Sequence, residues 1–294
     1  MRIMSFGEII WDVYSPSERT LGGAPLNFAA YVAMQGCESY VASAVGNDTL
    51  GKEALREIRA LGINCDYVST VNDAPSGQCL VSLSDSGIPS YNVLRDVAYD
   101  RIEYSRLSAP FDAICFGTLA LRESHNRITL ERFLTDGEYN EIFTDVNIRP
   151  PFFSLDSVRF CLEKSTIVKI SDEELPTVSS LIFGRYTDLK TAASDILTEF
   201  KNIKLLLITC GGNGAYCYDV ITNTKHYVPA AKATMVSSVG AGDSFGATFL
   251  VQYLRTHDIP YSLDLAARVS AFVVSNRESI PRGARELIST LVTK

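Results

Sequence analysis

Short apolar runs alternate with amphipathic stretches along nearly the whole chain, and that alternation restricts the fold to one class. The runs occupy 3–10, 40–45, 111–116, 141–146, 166–170 and 204–209. Several are apolar nearly throughout, as strands covered on both faces are. Helical patterns fall at 25–35, 50–61, 125–137, 190–201, 243–256, 262–275 and 283–292. Gly36 and Gly62 stand where the first two helices would end. Strands alternating with helices predict an α/β protein built on a doubly wound, mostly parallel sheet with helices on both faces. Two segments, 13–21 and 76–99, break the pattern and read as extended, with turns at Ser15-Pro16-Ser17 and Asp85-Ser86-Gly87. They predict a small β-sheet lid on a single domain spanning 1–294.

Composition excludes several functions. The chain has 294 residues and a formal net charge of −7, with a pI near 5.1. That acidity opposes nonspecific binding to nucleic acid or an anionic membrane. There is no apolar run of 18 residues, and Met1-Arg2-Ile3-Met4 leads straight into a strand pattern, so no signal peptide is expected. Cysteines at 37, 65, 79, 115, 161, 210 and 217 form no C-x-x-C pair and sit largely in apolar surroundings. They read as free thiols in a reducing, cytoplasmic setting. His125, His226 and His257 have no zinc-site spacing.

In a doubly wound sheet, ligands bind beyond the carboxyl ends of the strands. Polar and glycine-rich residues gather there: Asp12, Gly117-Thr118, Asn147-x-Arg149, Ser171-Asp172-Glu173-Glu174 and Thr209-Cys210-Gly211-Gly212-Asn213-Gly214. The sharpest signal lies at 240–243. Gly240-Ala241-Gly242 delivers the carboxylate of Asp243 to the start of a helix. Helix-start N–H groups and the helix dipole favour an anion, and a neighbouring carboxylate can take a proton from an attacking hydroxyl. The pattern suits phosphoryl transfer to an alcohol. Its ordinary alternative is a helix start capped by Asp243.

Three other motifs fail. Gly242-Asp243-Ser244-Phe245-Gly246 matches the nucleophile elbow G-x-S-x-G, but only His257 follows and no acid lies between. A helix from Ser244 to His257 would also separate them by roughly 20 Å. Gly240, Gly242 and Gly246 miss the dinucleotide spacing by one residue, and Gly51-Lys52-Glu53 is not a Walker A loop.

Three stretches together resemble the ribokinase-like sugar kinases, the PfkB carbohydrate kinase family, over essentially the whole chain. They are Gly22-Gly23-Ala24-Pro25-Leu26-Asn27-Phe28-Ala29 with Val45-Gly46-Asn47-Asp48, then Asp145-Val146-Asn147-Ile148-Arg149-Pro150-Pro151, then Gly240-Ala241-Gly242-Asp243-Ser244-Phe245. Within the family the chain looks most like bacterial fructokinases. The resemblance implies transfer of the ATP γ-phosphate, with Mg²⁺, to a sugar hydroxyl. It makes Asp243 the base and the backbone of Gly240, Ala241 and Gly242 the anion hole. It sets Asp12, Gly23, Asn27, Arg95 and Arg149 on the sugar, and Thr209, Gly211, Gly214 and Asn276 on the nucleotide. Glu174 would reach the metal through water. The alternatives are a kinase for 2-keto-3-deoxygluconate, ribose or a nucleoside, and a non-catalytic sugar- or nucleotide-binding regulator. Neither nucleic acid nor a membrane is implied as a partner. A homodimer paired through the lid is expected, because the lid's second face would otherwise be open; a monomer whose lid packs only on its own core is the alternative.

Three departures from the family pattern stand out. Ser237-Ser238 replaces Asp-Thr, which leaves a potassium site without its usual carboxylate and potassium dependence open. Ser171 replaces the Asn of Asn-x-x-Glu. Arg277-Glu278-Ser279-Ile280-Pro281 replaces Arg-Gly-Ala-Ile-Pro, which bears on the nucleotide pocket.

Overall fold

The computed structural model describes residues 1–15, 17–83 and 89–292. Pro16 and the expected turn at 85–87 lie outside the described residues. The elements run β1 (Arg2–Phe6), β2 (Ile10–Ser15), β3 (Glu18–Gly22), α1 (Ala24–Met34), β4 (Glu38–Gly46), α2 (Thr49–Ala60), β5 (Ile63–Val71), β6 (Gly77–Leu83), β7 (Pro89–Val93), β8 (Phe111–Phe116), α3 (Ser124–Asp136), β9 (Tyr139–Asp145), α4 (Leu155–Lys164), β10 (Ile167–Ser171), α5 (Leu175–Phe183), α6 (Leu189–Glu199), β11 (Leu205–Thr209), β12 (Ala215–Asp219), β13 (Thr224–Val228), α7 (Ala241–Thr256), α8 (Ile259–Val274) and α9 (Ala284–Val292).

The main sheet has the order β13-β12-β11-β10-β9-β8-β1-β4-β5. The seven strands from β11 to β5 pair in parallel, and β12 and β13 add an antiparallel edge. Alternation along each strand sends successive side chains to opposite faces. Ile3, Ala113, Cys115, Phe143, Ile167 and Leu207 meet α1, α7 and α8 on one face. Phe6, Ile114 and Phe116 meet α3 on the other, and Val168 and Leu206 meet α4 and α6 there. Full burial of one such side chain is worth about 1.5–3 kcal/mol, so both helix layers are needed to hold the sheet.

The expected doubly wound sheet is present, and so is a second, four-stranded sheet in the order β3-β2-β6-β7. Its limits differ from the expected segments. The apolar run 3–10 divides at Gly7-Glu8-Ile9, so Ile10 already belongs to the small sheet. Residues 94–99 leave it: Ala98–Arg101 form a short 3-10 turn with Tyr99 fully buried. Helices α4 and α5, strand β5 and the β12–β13 hairpin were not read from the sequence. They are short or half-polar, so neither periodicity emerges over enough residues.

Candidate functional site

The four strands whose ends carry the predicted polar clusters, β11, β10, β9 and β8, are consecutive neighbours in the sheet, and β1 stands next to β8. Their carboxyl ends form one row. The chain order reverses at β1, which pairs with β4 on one side and β8 on the other. A doubly wound sheet opens its crevice at such a reversal. A small recess lies there, walled by Glu8, Pro25, Phe28, Asp145, Asn147 and Asp243 among others.

Asp243 enters this recess from the first turn of α7. Gly240 precedes the helix at φ 80°, a left-handed conformation that costs other residues energy. A Cβ there would also stand 2.7 Å from the Ser279 Cβ. Within α7 the hydrogen-bond ladder begins with Ser244 N–H donating to Gly240 O at 2.9 Å. Among the described residues the N–H groups of Gly242 and Asp243 donate to nothing. Two donors without a partner at a helix start, beside a carboxylate, are what an anion site needs; the Ala241 N–H, expected to share in it, instead donates to Ser238 O at 3.2 Å.

Asn27 Nδ2 donates to Asp243 Oδ2 at 2.8 Å, and Ser279 Oγ donates to Asn27 Oδ1 at 3.2 Å. Burial pushes the Asp243 carboxyl up to about 6; the Asn27 bond, Lys169 and Arg149 oppose the rise, and Asp145 adds to it. Glu8 is buried behind the same recess and accepts the Ala24 N–H at 3.2 Å. Burial raises Glu8 to about 7, against its backbone hydrogen bonds. Gly23 has φ 113°, and a Cβ there would lie 2.4 Å from Glu8 O, so only glycine fits this turn.

Asp12 sits in β2 of the small sheet, not after β1 as its sequence position implied. It faces Cys79 of β6 in register. Burial lifts its carboxyl to about 6, and Arg149 pulls it back. Arg149 is exposed, yet its charge acts on Glu8, Asp12, Asp145 and Asp243 alike. It is the shared counter-charge of the rim. Arg95 is exposed and lies 4.9 Å from the Phe152 ring. It makes no ion pair within 4 Å among the described residues. Arg122, which the sequence did not single out, has a buried side chain. Its Nε and Nη2 take both Asp100 oxygens at 2.8 Å.

Glu174 is held firmly. Oε1 accepts Ile148 N–H at 2.6 Å, and Oε2 accepts Ser171 N–H and Oγ–H, each at 2.9 Å. Ser171 therefore supplies a donor where the family pattern has Asn. At the end of β11, Thr209 leads into a single 3-10 turn at Gly211–Asn213, closed by Cys210 N–H on Gly214 O at 2.8 Å. Nothing lies within 4 Å of a Cβ built on Gly211 or Gly212, so this backbone faces open space. Asn276 donates from Nδ2 to Phe272 O at 2.7 Å, at the end of α8. Ser237 Oγ accepts Val239 N–H at 3.2 Å.

Sequence reading missed Lys169 and Asp145 as a unit. They are register partners on β10 and β9, with Nζ 2.7 Å from Oδ2. A Cβ on Gly242 would be 3.1 Å from that Nζ, so the pair lies directly beneath the helix start. Asp145 Oδ1 is buried with no partner. The available signal was Lys169 itself, a charge inside the apolar run Ile167-Val168-Lys169-Ile170.

The model of the pfkB family carbohydrate kinases matches residues 2–284. The chain belongs to that family. This kinase is 29% identical to a fructokinase of Rhizobium leguminosarum bv. trifolii over 84% of the chain and 78% of the relative. It is 26% identical to an ATP-dependent 6-phosphofructokinase of Thermoanaerobacterium thermosaccharolyticum over 92% and 87%. The crystal structure of a Xylella fastidiosa fructokinase with bound ATP matches with a TM-score of 0.85 at 20% identity, covering 100% of this chain and 99% of that one. Among the described residues of the kinase, no helix is long and apolar enough to cross a membrane. Its seven cysteines are unpaired.

Proposed function

We propose that this kinase moves the γ-phosphate of ATP to a hydroxyl of a neutral sugar, with fructose the favoured substrate. The observation that carries the reading is the Asp243 carboxylate beside two unengaged N–H groups at the start of α7. In the transfer the sugar oxygen forms a bond to the γ-phosphorus while the bridging bond to the β-phosphate breaks, and ADP leaves. The hydroxyl proton goes to Asp243, whose carboxyl near 6 is ionised at neutral pH yet basic enough to receive it. The Gly242 and Asp243 N–H groups meet the charge on the phosphoryl oxygens.

Asp12, Gly23, Asn27, Arg95 and Arg149 form the sugar side. Glu8, Asp12, Asp145 and Asp243 give it four carboxyl groups with Arg149 as common counter-charge, which favours hydroxyl donors over a second anion. Thr209, Gly211, Gly214 and Asn276 form the nucleotide side. Exposed Met235 and Val236 lie beside it: the Val236 N–H donates to Val274 O at 2.7 Å, two residues before Asn276.

Among the described residues no cluster of three carboxylate, His or Cys side chains offers a metal cage. A magnesium ion fits all the same if carried by the phosphates and its own water. Glu174 Oε1 accepts one hydrogen bond and keeps a lone pair for such a water. Bound there, the ion would offset phosphate charge. The unpaired thiols suit a reducing compartment.

A panel of fructose, ribose, 2-keto-3-deoxygluconate, a nucleoside and fructose 6-phosphate in a coupled ADP-release assay tests the reading. Fructose should lead by kcat/KM. A lead by an acid or a phosphate ester would instead mean that Arg95 reads an anion. We further propose a homodimer through the small sheet, where Tyr14, Leu80 and Tyr91 are 48%, 41% and 53% exposed. Light scattering should give twice the 32.3 kDa of the chain; a single chain mass at micromolar concentration refutes the pairing.

A further inference from the structure

Ser279 stands where the family pattern has alanine, and its surroundings give the hydroxyl a purpose. Its carbonyl accepts the Tyr31 Oη–H at 2.6 Å, which ties residue 279 to α1. Its backbone and Cβ press on Gly240, within 2.7–2.8 Å of where a Cβ would be. Its hydroxyl donates to Asn27 Oδ1, and Asn27 donates to Asp243. Both Ser279 and Asn27 are buried. The segment after α8 thus reaches the carboxylate at the start of α7 through one side-chain amide of α1.

An amide has a donor side and an acceptor side, and half a turn exchanges them. While Asp243 is ionised, either neighbour favours Nδ2 toward it. Once Asp243 holds a proton, a turned amide could accept that proton's hydrogen bond. Such a turn would cost the Ser279 hydroxyl its acceptor in a buried place, because Asn27 Oδ1 is its one acceptor among the described residues.

We propose that Ser279 is a positioning residue for the base, holding the Asn27 amide with its donor side on the Asp243 carboxylate. The proposal rests on the reading of Asp243 as the base. Removal of the hydroxyl frees the amide to turn and stabilises protonated Asp243. The acid limb of kcat/KM then moves to higher pH. The other groups acting on Asp243 are Asp145, Lys169, Arg149, Glu8, Tyr31 and Cys115; a Ser279→Ala substitution removes none of them and keeps the carbonyl that Tyr31 Oη–H bonds.

The test is the pH profile of kcat/KM for Ser279→Ala against wild type, with Asn27→Ala and the double variant beside them. The Ser279→Ala limb should rise by about half to one pH unit, a loss of about 2- to 5-fold at pH 6 that vanishes by pH 9. ATP KM should be unchanged. In the Asn27→Ala background the same substitution should leave the limb where it is. A limb within 0.2 units of wild type in Ser279→Ala overturns the proposal, as does an equal shift without Asn27. If Ser279→Ala does not fold, Ser279→Cys, a weaker donor of similar size, carries the same expectation with a smaller shift. Full turnover by Asp243→Asn would remove the base itself, an outcome separate from an unmoved limb.

Discussion

Lys169 and Asp145 face each other across the parallel strands β10 and β9, with Nζ 2.7 Å from Oδ2 and the ammonium directly under Gly242. Burial disfavours charge on both, yet Asp145 and then Glu174 hold the Lys169 pKa above its ordinary value. The pair places a fixed charge beneath the turn without leaving a net charge in the core. Breaking it on one side strands a buried charge, which costs about 3–5 kcal/mol. Lys169→Met should lose that much in urea unfolding, and less as pH falls, because burial raises the Asp145 carboxyl and the loss of Lys169 lets it take a proton more readily. Replacing both, with Lys169→Met and Asp145→Leu, should recover most of the loss. A Lys169→Met protein within 1 kcal/mol of wild type at pH 8 would show that the pair bears no such burden.

Glu8 should make the protein less stable as pH rises. Its carboxyl lies near 7 in the fold against an ordinary 4.5. A raised acid contributes its stability below the unfolded value and loses it as pH climbs through the folded one. The cost of ionising Glu8 is roughly 3 kcal/mol above pH 7. Glu8→Gln keeps the acceptor for the Ala24 N–H and removes the titration. Its urea midpoint should match wild type at pH 5 and exceed it at pH 8. Midpoints that follow wild type at both values would contradict the shift.

Asn27 should matter to the sugar and not to the nucleotide. One of its amide hydrogens is taken by Asp243, which leaves the other for a sugar hydroxyl. Losing one such bond costs about 1–3 kcal/mol. Asn27→Ala should therefore raise the sugar KM roughly 5-fold or more while the ATP KM stays put. Calorimetry that finds weakened ATP and unchanged sugar binding would exchange the two halves of the site.

What the sequence could tell depended on whether a feature was local. Gly240-Ala241-Gly242-Asp243 is a local turn, and its geometry followed from glycine conformation and helix ends. The parallel strands were legible because burial on both faces makes them apolar throughout. The contacts of Glu8, Asp145, Lys169 and Ser279 in the site were not legible, because each depends on a partner 16 to 252 positions away. Asp12 was placed on the wrong element because Gly7 and Glu8 interrupt an apolar run without a polar break long enough to notice. Arg122 and Arg95 look alike in sequence, and only the Asp100 contact separates a structural arginine from one without an ion pair.

The proposed transfer depends on the carboxylate of Asp243 as proton acceptor. The most direct measurement is single-turnover phosphoryl transfer to fructose by Asp243→Asn with saturating ATP and magnesium. The substitution keeps the shape and an acceptor for the Asn27 amide but removes the base. Transfer should slow by about 10²–10⁴-fold, with sugar and ATP binding nearly unchanged by calorimetry. Transfer within threefold of wild type would contradict the account.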